Sequence, residues 1–159
     1  MKSCKYHYPT PVGTICIEAD ETAVLALYLE EADNTAECME NTIIRKTYQE
    51  LLEYFAGKRK KFTVPVNAKG TSFRKAVWNA LLNIPYGETR SYKEIAEAVG
   101  NPKASRAVGG ANHQNPIMIL IPCHRVIGEN GSLTGYAGGL SVKEKLLALE
   151  RREKCDITA

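Results

Sequence analysis

The sequence predicts an α+β protein in two parts: a small α/β domain over residues 1–70 and a helix-turn-helix domain over residues 71–159. Three observations predict it. Thr14 to Ala19 and Ala23 to Leu29 are short β-branched or apolar runs on either side of Asp20-Glu21, the pattern of a hairpin. Phe73, Ala76, Val77, Ala80 and Leu81 fall at i, i+3, i+4, i+7 and i+8, the pattern of an amphipathic helix. Beyond them, Ser91 and Asn101 each open a short helical stretch with Gly100 between, the outline of a helix-turn-helix.

The remaining elements follow in order. Between about Asn41 and Phe55, the residues Ile44, Tyr48, Leu51, Leu52 and Phe55 recur at helical spacing, and Gly57 follows as a C-cap. The basic, strand-like KKFTVPV comes next, and Asn67 to Gly70 read as a linker. The 73–81 helix stops before Pro85-Tyr86-Gly87. Ser91 and Glu94 form a capping box that opens a helix through about Val99, closed by Gly100. Asn101 as N-cap and Pro102 as first helical residue predict a third helix at once, running to about Asn112. Ile117 to Ile121 reads as a buried strand, and Ser141 to about Arg151 as a capped helix with Glu150 in its last turn.

At 44% hydrophobic and 25% charged, with no apolar run long enough to span a bilayer, the composition is that of a globular domain and not of a membrane span. The start MKSCKYHYPT has no apolar core of a secretory signal, so a cytoplasmic location, or a nuclear one in a eukaryote, is expected. Cys4, Cys16, Cys38, Cys123 and Cys155 stand singly, which points to free thiols and not to a disulfide framework. Cys4 and His7 are spaced like two metal ligands, but no second pair follows at finger spacing, so no metal is expected. Residues 1–70 carry 9 Lys+Arg against 10 Asp+Glu, and residues 71–159 carry 12 against 8. The positive excess therefore lies in the second part, which suits a polyanionic partner and equally a solvated surface.

The third helix, KASRAVGGANHQ, is a poor reader of bases. A helix in the major groove presents several Arg, Asn or Gln side chains to base edges. Here the face is Ala104, Ser105, Ala107, Gly109, Gly110 and Ala111, with Arg106 the one large polar side chain in its middle. Gly109 and Gly110 each cost a helix roughly 1 kcal/mol relative to alanine. Such small residues suit a backbone lying deep in a minor groove about 6 Å wide, or else close helix packing.

Within ILIPCHRVIGENG, Cys123 and His124 stand side by side where an apolar run meets Pro122. Three readings compete: an inert core thiol, a pair of metal ligands, or a nucleophile with a base nearby. The bulky polar residues His124 and Arg125 need partners if buried, and both are placed to lower the thiol pKa. Glu150, opposing the dipole of its helix, invites a local partner. Adjacent side chains on an extended segment point to opposite faces, so a direct bond from Cys123 to His124 is not expected, and a water between them would link the two. From other classes, a sequence-specific winged-helix transcription factor would leave Cys123 idle, and a cysteine hydrolase would leave the third helix idle.

The stretch Asn101 to Gly139, with NPKASRAVGGANHQNP, ILIPCHRVIG and GYAGG, closely resembles the O6-alkylguanine-DNA alkyltransferases, the methylated-DNA–protein-cysteine methyltransferases. The resemblance implies a small antiparallel sheet in the first domain and a winged-helix-like second domain that holds the active site. It implies Cys123 as alkyl acceptor in a single-use reaction, His124 as base through a bound water, Glu150 orienting the histidine, and Asn115 tying the active-site turn. Tyr92 would touch DNA and donate to the flipped guanine at N3, and Arg106 would fill the space that the base leaves. Backbone groups of Cys123 and Val126 would read the guanine amino group, and the loop around Tyr136 would close the pocket. The implied partner is double-stranded DNA carrying O6-alkylguanine, with O4-alkylthymine left open; a monomer without cofactor, membrane or obligate protein partner is expected.

One position departs from many members, which have serine where this chain has Ala137. A roomier pocket that accepts larger alkyl groups is expected. Ala137→Ser should therefore slow reaction with O6-benzylguanine relative to O6-methylguanine; a rate ratio untouched by the substitution would rule the idea out.

Overall fold

The computed structural model describes residues 2–133, 136 and 139–158, with side chains through residue 152. The chain forms two compact units, Met1–Lys69 and Gly70–Ala159. Among the described residues no helix is long and apolar enough to cross a membrane.

The first unit holds an antiparallel sheet of β1 (Cys4–Tyr8), β2 (Ile15–Ala19) and β3 (Val24–Leu29), in that order. The expected hairpin is β2–β3, and its turn is built by Asp20, whose carboxylate accepts the backbone N–H groups of Thr22 at 2.8 Å and Ala23 at 2.9 Å. Such Asx turns offer the chain a local partner at the reversal point. β2 is central and buried except at the half-buried Glu18, which is why it reads as a mainly apolar run. β1 escaped the sequence reading because CKYHY shows no apolar alternation; it is an edge strand whose aromatic rings cover the sheet margin.

Helix α1 (Thr42–Phe55) is capped by Asn41, whose side chain accepts from Ile44 N–H at 2.8 Å. Its buried face is Ile44, Thr47, Leu51 and Tyr54, so Leu52, expected inward, is instead 44% exposed. Glu50 on the same face explains the following segment. Its buried carboxylate accepts the N–H and the hydroxyl of Thr63 and draws in Arg59 at 3.7 Å. KKFTVPV is thus held by a side chain rather than by a ladder: among the described residues it contributes one bridge, Val66 beside Val24. Pro65, lacking a donor, fits that limit.

The second unit begins with α2 (Ser72–Leu82), capped by Thr71. Val77, Trp78 and Leu81 are its buried face, and the Trp78 indole N–H donates to the Ala111 carbonyl at 2.8 Å. β4 (Arg90–Ser91) leads into α3 (Tyr92–Ala98), where the Ser91–Glu94 capping box is complete in both directions. Gly100, at φ +81°, and Asn101 close α3 by donating to Glu97 O at 3.0 Å and Ala96 O at 2.9 Å, a Schellman pattern that needs the left-handed glycine.

The next helix differs from expectation. Asn101 does not cap it; residues 101–104 close as a turn, with Ala104 N–H donating to Asn101 O at 3.0 Å, and α4 runs Ser105–His113. Ile117–Ile121 is not a strand either, but a series of tight turns, including Ile119 at φ 71°. An apolar run buried on all sides has no periodicity that separates strand from turn. A 3-10 turn, Cys123–Arg125, runs into β5 (Val126–Ile127), which pairs in parallel with β4. α5 (Leu140–Thr158) extends past Arg151, no breaker intervening, so Glu150 lies mid-helix and not at its end.

Gly70 shows what the start of this unit demands. A Cβ there would stand 2.6 Å from the Trp78 ring, which is buried and tied to Ala111. Gly70→Ala should cost about 1–3 kcal/mol through overpacking, read as a lower denaturant midpoint, whereas Gly110→Ala, which meets nothing within 4 Å, should be neutral or stabilising.

Candidate active site

Cys123 opens the 3-10 turn and is 2% exposed. Asn115 builds its approach: the side-chain oxygen accepts Ile117 N–H at 3.0 Å, and the amide donates to Ile121 O at 2.9 Å. Asn115 thereby clips both ends of the 117–121 turns while its side chain also hydrogen-bonds the thiol. Inside that clip Ile119 holds a left-handed backbone, a conformation costing a β-branched residue on the order of 1–3 kcal/mol. Asn112, from the end of α4, donates to Cys123 O at 3.3 Å.

His124 is fully buried, and its Nε2 lies 2.7 Å from Glu150 Oε2. Arg125, also buried, forks onto the same carboxylate through Nε at 2.8 Å and a terminal nitrogen at 3.1 Å. Its other terminal nitrogen donates to Ile84 O at 2.7 Å, and the guanidinium lies 5.8 Å from the centre of the Tyr86 ring. Glu150 further accepts Gly87 N–H at 3.2 Å. Gly87 reaches it because the Pro85–Glu88 turn places a glycine at φ +81° in its third position.

The protonation states follow. Burial alone would raise the Glu150 carboxyl, but hydrogen bonds and charge from His124 and Arg125 outweigh it and hold the group down to about 2. Burial pushes His124 below its ordinary value, so it is neutral beside an ionised carboxylate. Glu150 can only accept, so Nε2 carries the proton and Nδ1 the lone pair. Nδ1 is buried and finds no partner among the described residues.

The thiol corrects an expectation. Burial pushes Cys123 up to about 11, against the weaker favouring effects of the Asn115 side chain, the Lys143 charge and the backbone N–H groups of Cys123 and His124. Arg125 gives no help, because its charge is committed to Glu150. At neutral pH Cys123 is a protonated thiol awaiting a base.

Lys143 is the residue that sequence reading missed. It is fully buried in α5, donates to Val126 O at 2.6 Å, and burial lowers its pKa. The signal was present: Lys143, Leu147 and Glu150 share one apolar stripe at i, i+4 and i+7. Val126 is buried, and its carbonyl keeps a second lone pair beyond the one that Lys143 uses. Tyr136 is buried, and its hydroxyl has no partner among the described residues. Ala137 lies outside the described residues.

The interface candidates sit on the opposite side of α4. Arg106, Ala107 and Gly110 are exposed, Ala104 and Ser105 half-buried, and Gly109 lies against the ring of Tyr92, the first residue of α3. β4–β5 pairing sets Arg90 beside Val126 and Ser91 beside Ile127, so the strand that leads into Tyr92 lies next to the strand that follows the cysteine turn.

Two family models match the chain: residues 72–152 match the 6-O-methylguanine DNA methyltransferase DNA binding domain, and residues 5–68 its ribonuclease-like domain. A methylated-DNA–protein-cysteine methyltransferase from Methanosarcina acetivorans is 49% identical over 148 residues, covering 90% of this chain and 95% of that protein. The crystal structure of Mycobacterium tuberculosis O6-methylguanine methyltransferase superposes with a TM-score of 0.87 at 40% identity, over 96% of this chain and 94% of that one. A structure of Mycobacterium tuberculosis OGT in complex with DNA gives a TM-score of 0.86 at 42% identity, covering 94% of this chain and 93% of that one.

Removing the Glu150 charge leaves Arg125 buried and uncompensated, so Glu150→Gln should lose about 3–5 kcal/mol in denaturant melts. Acid acts in the same direction. His124 sits below its ordinary 6.5 and Glu150 at about 2 below its ordinary 4.5, so at these two groups the unfolded chain binds more protons than the folded one, against the opposite contribution of His7, which Glu30 holds above its ordinary value. With His7 replaced by Gln to remove that opposing contribution, melting temperature should hold above about pH 6.5, then fall as His124 and later Glu150 take up protons on unfolding; a flat profile down to pH 4 in His7→Gln would contradict these assignments.

Proposed function

The chain belongs to the 6-O-methylguanine DNA methyltransferase family, and from that premise we propose that it repairs O6-alkylguanine in double-stranded DNA by taking the alkyl group onto Cys123. Its activity is that of a methylated-DNA–protein-cysteine methyltransferase. The observation that carries the residue assignment is the buried network in which Arg125 and Glu150 fix His124 so that its Nδ1 lone pair is unclaimed, on the residue that follows a protonated thiol.

A base inside a duplex is out of reach, so it must flip, at a cost of a few kcal/mol. α4 offers the minor groove a surface of alanine and glycine from which Arg106 projects, the one side chain there large enough to occupy the gap in the stack. Little on that surface distinguishes one sequence from another, which suits a protein that must act wherever damage falls.

The thiol proton passes through a water to His124 Nδ1, and the imidazolium is stabilised by Glu150. Sγ attacks the alkyl carbon from the side opposite O6. The C–O6 bond breaks, its electron pair stays with the guanine, and Tyr92 donates a hydrogen bond at N3 to the charge that develops there. Lys143, cationic behind the turn, favours the thiolate while it exists. Carbonyl groups of Cys123 and Val126 accept the guanine amino group, and Tyr136 closes the pocket. The product is a thioether without a carbonyl for water to attack, so each molecule reacts once. Every residue with a role comes from this one chain, and the reading needs neither cofactor nor second subunit.

Intact-mass measurement after mixing with duplex DNA containing O6-methylguanine should show the gain of a single methylene, mapped to Cys123 and absent in Cys123→Ala. Unchanged protein mass with the DNA still methylated would overturn the assignment.

A further inference from the structure

The first unit contains a cluster of donors that alkyl transfer does not use. The antiparallel register sets His7 of β1 opposite Cys16 of β2, and Glu30, just beyond β3, reaches over them. One donor atom from each, His7 nitrogen, Cys16 sulfur and Glu30 oxygen, lies within 4.8 Å of the others. Cys16 and the His7 side chain are buried, whereas Glu30 closes the cluster from solvent. Cys4 stands outside the cluster, because a spacing of three along a strand puts Cys4 and His7 on opposite faces.

His7 is oriented as a ligand would be. Asn34 accepts the His7 backbone N–H at 2.7 Å and donates to the His7 carbonyl at 3.2 Å, which fixes its amide the right way round. The same Asn34 oxygen lies 3.2 Å from Nδ1, so Nδ1 must carry a proton to meet it. Neutral His7 then turns the Nε2 lone pair toward Glu30 Oε1, 2.7 Å away, and an acceptor faces an acceptor. A positive species belongs between them. A hydrogen bond from the far ring nitrogen to a fixed oxygen is also the usual outer support of a metal-bound histidine.

We propose that His7, Cys16 and Glu30 form a zinc site that ties β1, β2 and the end of β3 together. Thiolate, imidazole and carboxylate in one cluster match zinc in softness and number, and the fourth position falls to Cys38, whose sulfur is within reach of the His7 ring, or to water. Two zinc bonds of about 2.0–2.3 Å hold their ligands roughly 3.5 Å apart, so on binding the 2.7 Å His7–Glu30 pair opens while donors farther apart, up to 4.8 Å, draw in. Cys16 loses its proton to solvent as the Zn–S bond forms. The site is independent of the alkyl-acceptor chemistry.

The test is titration of the full-length, reduced protein with Co2+, followed by displacement with Zn2+. One equivalent should raise a thiolate-to-cobalt charge-transfer band that Zn2+ removes. Cys16→Ser should abolish the band, and Cys123→Ser and Cys4→Ser should keep it. Asn34→Ala should weaken Co2+ binding about 10–100-fold, the usual effect of losing outer support. Should Cys16→Ser fail to fold, Glu30→Gln, altered at a half-exposed position, should fold and bind more weakly. Absence of a band, or a band lost with Cys123→Ser but kept in Cys16→Ser, would overturn the site and leave a proton as the positive species between His7 and Glu30.

Discussion

The active unit depends on a single buried carboxylate. Glu150 takes the guanidinium fork of Arg125, the ring N–H of His124 and the backbone N–H of Gly87, and so gathers α5, the cysteine turn and the Pro-Tyr-Gly turn at one point. A buried ion pair of this kind contributes little net stability, because desolvation consumes most of the attraction. What it fixes is arrangement. With Arg125 holding Glu150 ionised, His124 has one tautomer available, and that tautomer leaves the Nδ1 lone pair unclaimed among the described residues.

The same economy governs the thiol. A permanently ionised cysteine would be exposed to any soft electrophile, whereas burial keeps Cys123 protonated. The groups that favour its anion, Asn115, Lys143 and two backbone N–H groups, are already in place. Strain at Ile119 is part of this cost: Asn115 clips the 117–121 turns so tightly that a β-branched residue is forced into a left-handed backbone. Such strain survives where surrounding hydrogen bonds over-determine the conformation. A reagent used once per molecule needs a poised site more than a fast-resetting one.

Much of the fold was legible because its signals are local. The Ser91–Glu94 capping box, the Asn41 cap, the Asp20 turn and the 73–81 stripe each act within a few residues. The misreadings share a cause. Asn101 and Pro102 carry good opening chemistry for a helix, yet the turn at 101–104 uses it up; Ile117–Ile121 is buried on every side and so carries no period; KKFTVPV is shaped by Glu50, which lies thirteen residues before Thr63. Propensity and pattern lose wherever a side chain distant in sequence supplies the hydrogen bond.

The amino-acid sequence by itself, once its resemblance to a known family is counted with its residue types, determined the class of chemistry; the Cys-His pair alone left an inert thiol, a metal pair and a nucleophile open. A cysteine followed by histidine, a helix stripped of base-reading side chains around one arginine, and a glutamate on the last helix are choices of residue type, legible without coordinates and sharpened by the family resemblance. Only the tertiary structure decided how those groups divide the work. Arg125 turned out to serve Glu150 and not the thiol, Lys143 proved to be buried with its amine on the Val126 carbonyl just after the cysteine turn, and His7 met Cys16 and Glu30 through strand register. The physical reason is that burial and hydrogen-bond pairing set pKa values and orientation, and both depend on partners brought together from opposite ends of a unit.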